Sequence, residues 1–73
     1  MMERKPHVYG VTFYRELVGD DGKRFDSPLS TIRIRTAGRE VEALALAIRQ
    51  FEKQNKCEKW DYLATSFKVS CTD

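Results

Sequence analysis

The residue types suited to acid–base, nucleophilic or metal chemistry are few in this chain and far apart. His7, Cys57 and Cys71 are the only soft ligands in 73 residues, too few for the four-ligand set of a zinc site. Catalysis by a nucleophile needs a base in hydrogen-bond reach and a third group that orients it. His7 lies five residues from any strong nucleophile candidate, near the start of the chain. Ser27, Ser30, Ser66 and Ser70 fall in loop or strand contexts that explain a hydroxyl without catalysis. The adjacent acids Asp20 and Asp21 point two ways from a turn and lack the alternating ligands of a calcium loop. Gly10, Gly19, Gly22 and Gly38 make no Gly-x-Gly-x-x-Gly phosphate loop. The expectation is a protein that is not an enzyme, with no catalytic residue, no metal and no cofactor.

Recognition chemistry is better supplied. Arg33 and Arg35 alternate along one segment, and Tyr14, Trp60, Tyr62 and Lys68 recur in two others. Arginine, tryptophan and tyrosine are the types that most often anchor protein interfaces. The same mixture can hold single-stranded nucleic acid, with bases stacked on the rings and phosphates on the cations. Alternating arginine also simply keeps an exposed strand soluble.

Three strands and one helix must position these groups. Residues 7 to 18 are rich in β-branched and aromatic types, with Tyr9, Val11 and Phe13 on one face at period two, and predict a first strand. Gly19-Asp20-Asp21-Gly22 is turn chemistry. Residues 29 to 36 alternate strictly and predict a second strand. With Asp21 and Gly22 as a two-residue turn, Val11 pairs with Ile32 and Tyr9 with Ile34 on one face. Thr12 then pairs with Thr31 and Gly10 with Arg33 on the other; a one-residue slip would mix the faces. Pro28 falls opposite Arg15 and cannot donate to the ladder, so a bulge or frayed loop is expected between about Lys23 and Pro28.

Thr36 is placed to cap a helix over about 37 to 55, with Glu40 and Glu42 in its first turns and Asn55 near its end. Val41, Leu44, Ala45, Ile48 and Phe51 form its apolar stripe. The outer face mixes Glu40, Glu42, Arg49, Glu52 and Lys53, unlike the basic face of a membrane-surface helix. Gly38 beside Arg35 and Arg39 leaves a helix N-terminus that could take an anion. Residues 60 to 70 predict a third strand, with Leu63, Phe67 and Val69 inward and Trp60, Tyr62 and Lys68 outward.

A helical crossover makes the third strand parallel to the second, so placing it beside the first gives an antiparallel sheet of order 2-1-3. The fold class expected is α+β, a two-layer ββαβ domain with one helix on one face. If residues 60 to 70 are extended, Cys57 and Cys71 lie roughly 40 Å apart, far beyond the ~7 Å limit of a disulfide. The 2-1-3 order also brings the start of strand 1, with His7, toward the end of strand 3, with Cys71.

Composition bounds the rest. Thirteen Lys and Arg against 11 Asp and Glu leave +2, which by itself points to no polyanion. No apolar run approaches the ~20 residues of a membrane span, and a sparse cysteine set suits a reducing compartment; a cytoplasmic protein without a membrane partner is expected. A chain of this size buries only about 60% of its unfolded surface, which leaves little core for a catalytic cavity. The leftover aromatics and two exposed sheet edges suggest that a partner supplies the missing burial. The function expected is therefore a small interaction module that binds a protein, or itself as a homodimer, through the uncovered sheet face with Tyr14, Arg33, Arg35, Trp60, Tyr62 and Lys68. The alternative is a single-stranded nucleic-acid-binding domain using the same face.

Overall fold

The computed structural model describes residues 5 to 71. It contains strands β1 (His7–Val18) and β2 (Arg24–Thr36), helix α1 (Glu40–Asn55), a single 3-10 turn (Trp60–Tyr62) and strand β3 (Ser66–Cys71). The strands form one antiparallel sheet of order β2-β1-β3. Helix α1 packs on its β1 and β2 portion, so the α+β fold with one helix on one sheet face is the one expected.

Between β1 and β2 the register is that of the sequence: Tyr9 faces Ile34, Gly10 faces Arg33, Val11 faces Ile32 and Thr12 faces Thr31. Beyond Phe13 it shifts by one residue, because Leu29 is an extra residue on β2. Pro28 therefore lies opposite Tyr14 rather than Arg15. A bulge absorbs the proline that cannot bond, and the ladder then continues. The segment expected to fray is thus strand, and β2 starts at Arg24 rather than at residue 29.

The turn also gains a residue. Gly19 N–H donates to Lys23 O at 2.8 Å, Gly22 N–H donates to Gly19 O at 2.9 Å, and Lys23 N–H donates to Asp21 Oδ1 at 3.0 Å. Gly22 takes φ 81°, the left-handed residue that closes a three-residue hairpin loop. This replaces the two-residue turn that the Asp-Gly pair suggested.

The helix begins at Glu40, three residues later than expected. Thr36 does not cap it: its Oγ1 accepts the Gly38 N–H at 3.0 Å, a local turn that competes with helix. At the other end Lys56 is left-handed (φ 52°) and Cys57 N–H donates to Glu52 O at 3.0 Å, as in a Schellman closure. Asn55 donates from Nδ2 to Phe51 O at 2.8 Å. The buried stripe runs through Ala43, Ala47 and Phe51, with Leu44 and Ile48 packed beside it. Val41, expected inside, is 72% exposed, and Ala45 is exposed as well. Alanines at the contact let the helix approach the sheet closely, which rotates the stripe away from Val41.

The largest correction concerns β3, which starts at Ser66 instead of residue 60. Tyr9 pairs with Cys71 and Phe13 with Phe67, so a strand continued in that register to residue 60 would run beside the hairpin tip. The chain turns back instead. Thr65 N–H donates to Tyr14 O at 2.8 Å and Thr65 Oγ1 accepts the Glu16 N–H at 2.8 Å. Upstream of it, the 3-10 turn swings Trp60 against Phe13, with ring centroids 5.9 Å apart. Burying the indole outweighs six more strand positions.

A consequence is that β1 and β2 run on alone past the core. Twelve residues of β1 span roughly 40 Å, whereas the 16 residues of α1 span about 24 Å. The overhanging ribbon pairs Leu17 with Phe25, and both stay exposed at 39% and 52%.

Phe13→Ala should lower the unfolding free energy by about 3–5 kcal/mol, and Val41→Ala should change it by less than about 0.5 kcal/mol. Gly22→Ala should cost about 1–2 kcal/mol through its positive φ. Urea melts followed by circular dichroism check all three.

Candidate functional site

The register sorts every strand side chain onto one of two faces. Tyr9, Val11, Phe13, Ile32, Ile34, Phe67 and Val69 face the helix side. On the opposite face, Thr31, Thr12 and Lys68 form one cross-strand row, Arg33, Gly10 and Ser70 a second, and Pro28, Tyr14 and Ser66 a third. Arg35 follows opposite Val8. Among the described residues no element lies over this face.

Four of the six residues expected to form the site do share it: Tyr14, Arg33, Arg35 and Lys68. Lys68 Nζ lies 5.7 Å from the centre of the Tyr14 ring, a diagonal cross-strand contact within cation–π range. The Thr12 and Thr31 hydroxyls are hydrogen-bonded at 2.8 Å and stiffen the row beneath. Arg33 and Arg35 are exposed and have no ion-pair partner among the described residues. The Glu16 to Arg24 contact, at 3.7 Å between exposed side chains, lies farther out on the ribbon. Over its three-stranded part the face thus carries Arg33, Arg35 and Lys68 on the outer strands and a single aromatic ring, with Glu16 paired to Asp26 one row beyond Tyr14.

Trp60 and Tyr62 are placed elsewhere. Trp60 is half-buried on the helix side, its ring edge-on to Phe67 at 5.5 Å and its backbone N–H donating to Glu52 Oε2 at 2.8 Å. Tyr62 lies in the 3-10 turn and is 61% exposed. Ala64, which a strand over residues 60 to 70 would turn outward with Tyr62, is buried in the core. A period-two reading puts these residues outward only if they form strand; once residues 60 to 62 turn, the face loses both rings.

The remaining candidates separate in the same way. Cys57 and Cys71 form no disulfide. His7 lies two positions beyond the Tyr9 to Cys71 pair and packs edge-on to Tyr9, with ring centroids 6.2 Å apart. No cluster of three or more His, Cys, Asp or Glu side chains able to hold a metal occurs among the described residues. At Gly38 an added Cβ would run into the Glu42 carboxylate, so the chain's own acid occupies the approach to the helix start that an anion would use. No helix among the described residues is long and apolar enough to cross a membrane. Compared with known proteins, the chain matches no family model, no curated protein and no solved structure.

Trp60→Ala should cost about 2–3 kcal/mol of stability, as a half-buried ring in contact with two others. Tyr62→Ala should cost less than about 0.5 kcal/mol. Denaturant midpoints of the two variants distinguish a core Trp60 from a surface one.

Proposed function

We propose that this protein is a small, non-enzymatic interaction module that binds an acidic protein surface through the uncovered face of its sheet. The observation that carries the reading is that Arg33, Arg35 and Lys68 share that face with Tyr14, Lys68 against its ring and the two arginines two and three cross-strand rows farther along, with neither arginine ion-paired among the described residues. Charges left without internal partners favour docking of the opposite sign and exclude like-charged surfaces. The three-stranded face suits a partner of similar breadth, and Tyr14 offers an amphipathic ring at the end where β3 begins.

Single-stranded nucleic acid is the second reading, favoured by the same cations. It has less support than the sequence suggested, because sequence-tolerant binding draws on successive stacking rings and the face retains one.

An Arg33→Glu, Arg35→Glu variant should lose, by at least tenfold, the capture of any protein that crosslinks to the wild type, while Arg49→Glu on the helix should not. An unchanged partner set in the double variant would overturn the reading. Titration of a fluorescent single-stranded oligonucleotide at low salt separates the two classes. Tight binding that falls steeply with salt and vanishes in the double variant would transfer the face to nucleic acid.

A further inference from the structure

The two edges of the sheet are unlike. The edge at β2 is protected against adding another strand by Pro28, which has no N–H, and by the bulge at Leu29. The edge at β3 has neither device over Ser66–Cys71. Its helix-side face is also incompletely covered, since α1 packs over β2 and β1. Phe67 is 36% exposed, and Val69 is only partly buried.

The helix completes this shoulder. Glu52 is fixed to the Trp60 N–H, and Trp60 touches Phe67, so the flank of α1 that carries Glu52 looks toward β3. Val41, Ala45 and Ile48 lie on that flank at helical spacing. Val41, turned out of the core by the packing of Ala43 and Ala47, thus belongs to a strip of apolar surface that follows the unprotected edge.

We infer that β3 pairs with β3 of a second copy, antiparallel about a two-fold axis at Val69, to make one six-stranded sheet. Residues opposite one another must share a face, so only alternate registers keep Phe67 and Val69 on the helix side. A register centred on Lys68 sets two lysines directly against each other. The register centred on Val69 sets Val69 against its copy, Phe67 against Cys71 and Lys68 against Ser70. It places apolar groups together and opposes no like charges. The strand is therefore complementary to itself, as an isologous contact requires.

The chain exposes 5944 Å², more than the roughly 4,700 Å² of a compact monomer of 8.5 kDa; the overhanging ribbon contributes to that excess, and the shoulder beside β3 adds Phe67 and Val41 to the apolar surface a second copy can cover. In the paired state the open faces of two copies join across the axis and bring both Lys68 side chains to the middle of one surface. The pairing uses an edge and a shoulder rather than the Arg33 and Arg35 face, so either proposal can fail without the other.

Sedimentation equilibrium of the full chain should show a dimer; a monomer up to millimolar concentration would overturn the inference. In a Cys57→Ser, Cys71→Ser background, Val69→Cys should form an interchain disulfide at least tenfold faster than Lys68→Cys, whose sulfurs lie beyond bridging distance in this register. Equal rates would overturn the register. Ser70→Lys, on the solvent face, should weaken dimerisation roughly three- to tenfold at low salt and Ser70→Glu should strengthen it similarly. The absence of any opposite response would count against the pairing of residues 68 and 70.

Discussion

Phe13 is the point at which the elements of this domain meet. Its ring stacks on Phe51 of α1 with centroids 4.2 Å apart, touches Trp60 of the 3-10 turn, and faces Phe67 of β3 across the ladder. Each element after the hairpin therefore reaches the central strand through an aromatic ring. In a chain too small for a second core, such rings supply most of the apolar area that can be buried per ordered residue. The alanines at positions 43 and 47 and the aliphatic residues around them fill in the layer that the rings set.

The placement of that junction explains the shape of the rest. Because the core is gathered toward one end of β1, the helix and β3 end where Phe13 and Tyr14 end, and the hairpin continues as a two-stranded ribbon. Leu17 and Phe25 then face each other across the ribbon and stay exposed. The bulge at Leu29 lies where the ribbon leaves the core, so the register change falls where no helix side chain depends on it. Pro28, a liability inside a central strand, becomes a guard on an outer one.

The same geometry gives the surface its chemistry. Drawing Trp60 into the core removes it from the sheet face, and with Tyr62 displaced into the turn that face becomes cationic rather than aromatic. The unprotected edge and the exposed Val41 lie on the other side of β3 from the guarded strand. A domain of this size presents faces and edges, and these differ from one another in charge, apolar area and hydrogen-bonding capacity.

What the sequence determined by itself was whatever depends on neighbours along the chain or across one turn. The period of two in β1 and β2 set which faces pair, and Tyr9 meets Ile34, Val11 meets Ile32 and Thr12 meets Thr31 as a two-residue Asp-Gly turn would have them because the extra residue in the turn and the extra Leu29 at the bulge offset each other. The helical repeat located α1; the crossover makes β3 parallel to β2, and because a parallel pair normally needs both faces buried, β3 belongs beside β1 in the 2-1-3 order. Four of the candidate residues, Tyr14, Arg33, Arg35 and Lys68, were legible for the same reason, since their faces follow from strand alternation. The start of β3, the burial of Trp60 and Ala64, and the exposure of Val41 were decided only by tertiary structure. Each depends on where Phe13 and Phe51 meet, a contact between residues 38 positions apart in the chain, and local periodicity carries no information about which ring fills the space beside them. A segment such as Trp-Asp-Tyr-Leu-Ala-Thr has the composition of a strand, and it turns because the indole gains more from the core than the backbone gains from the ladder.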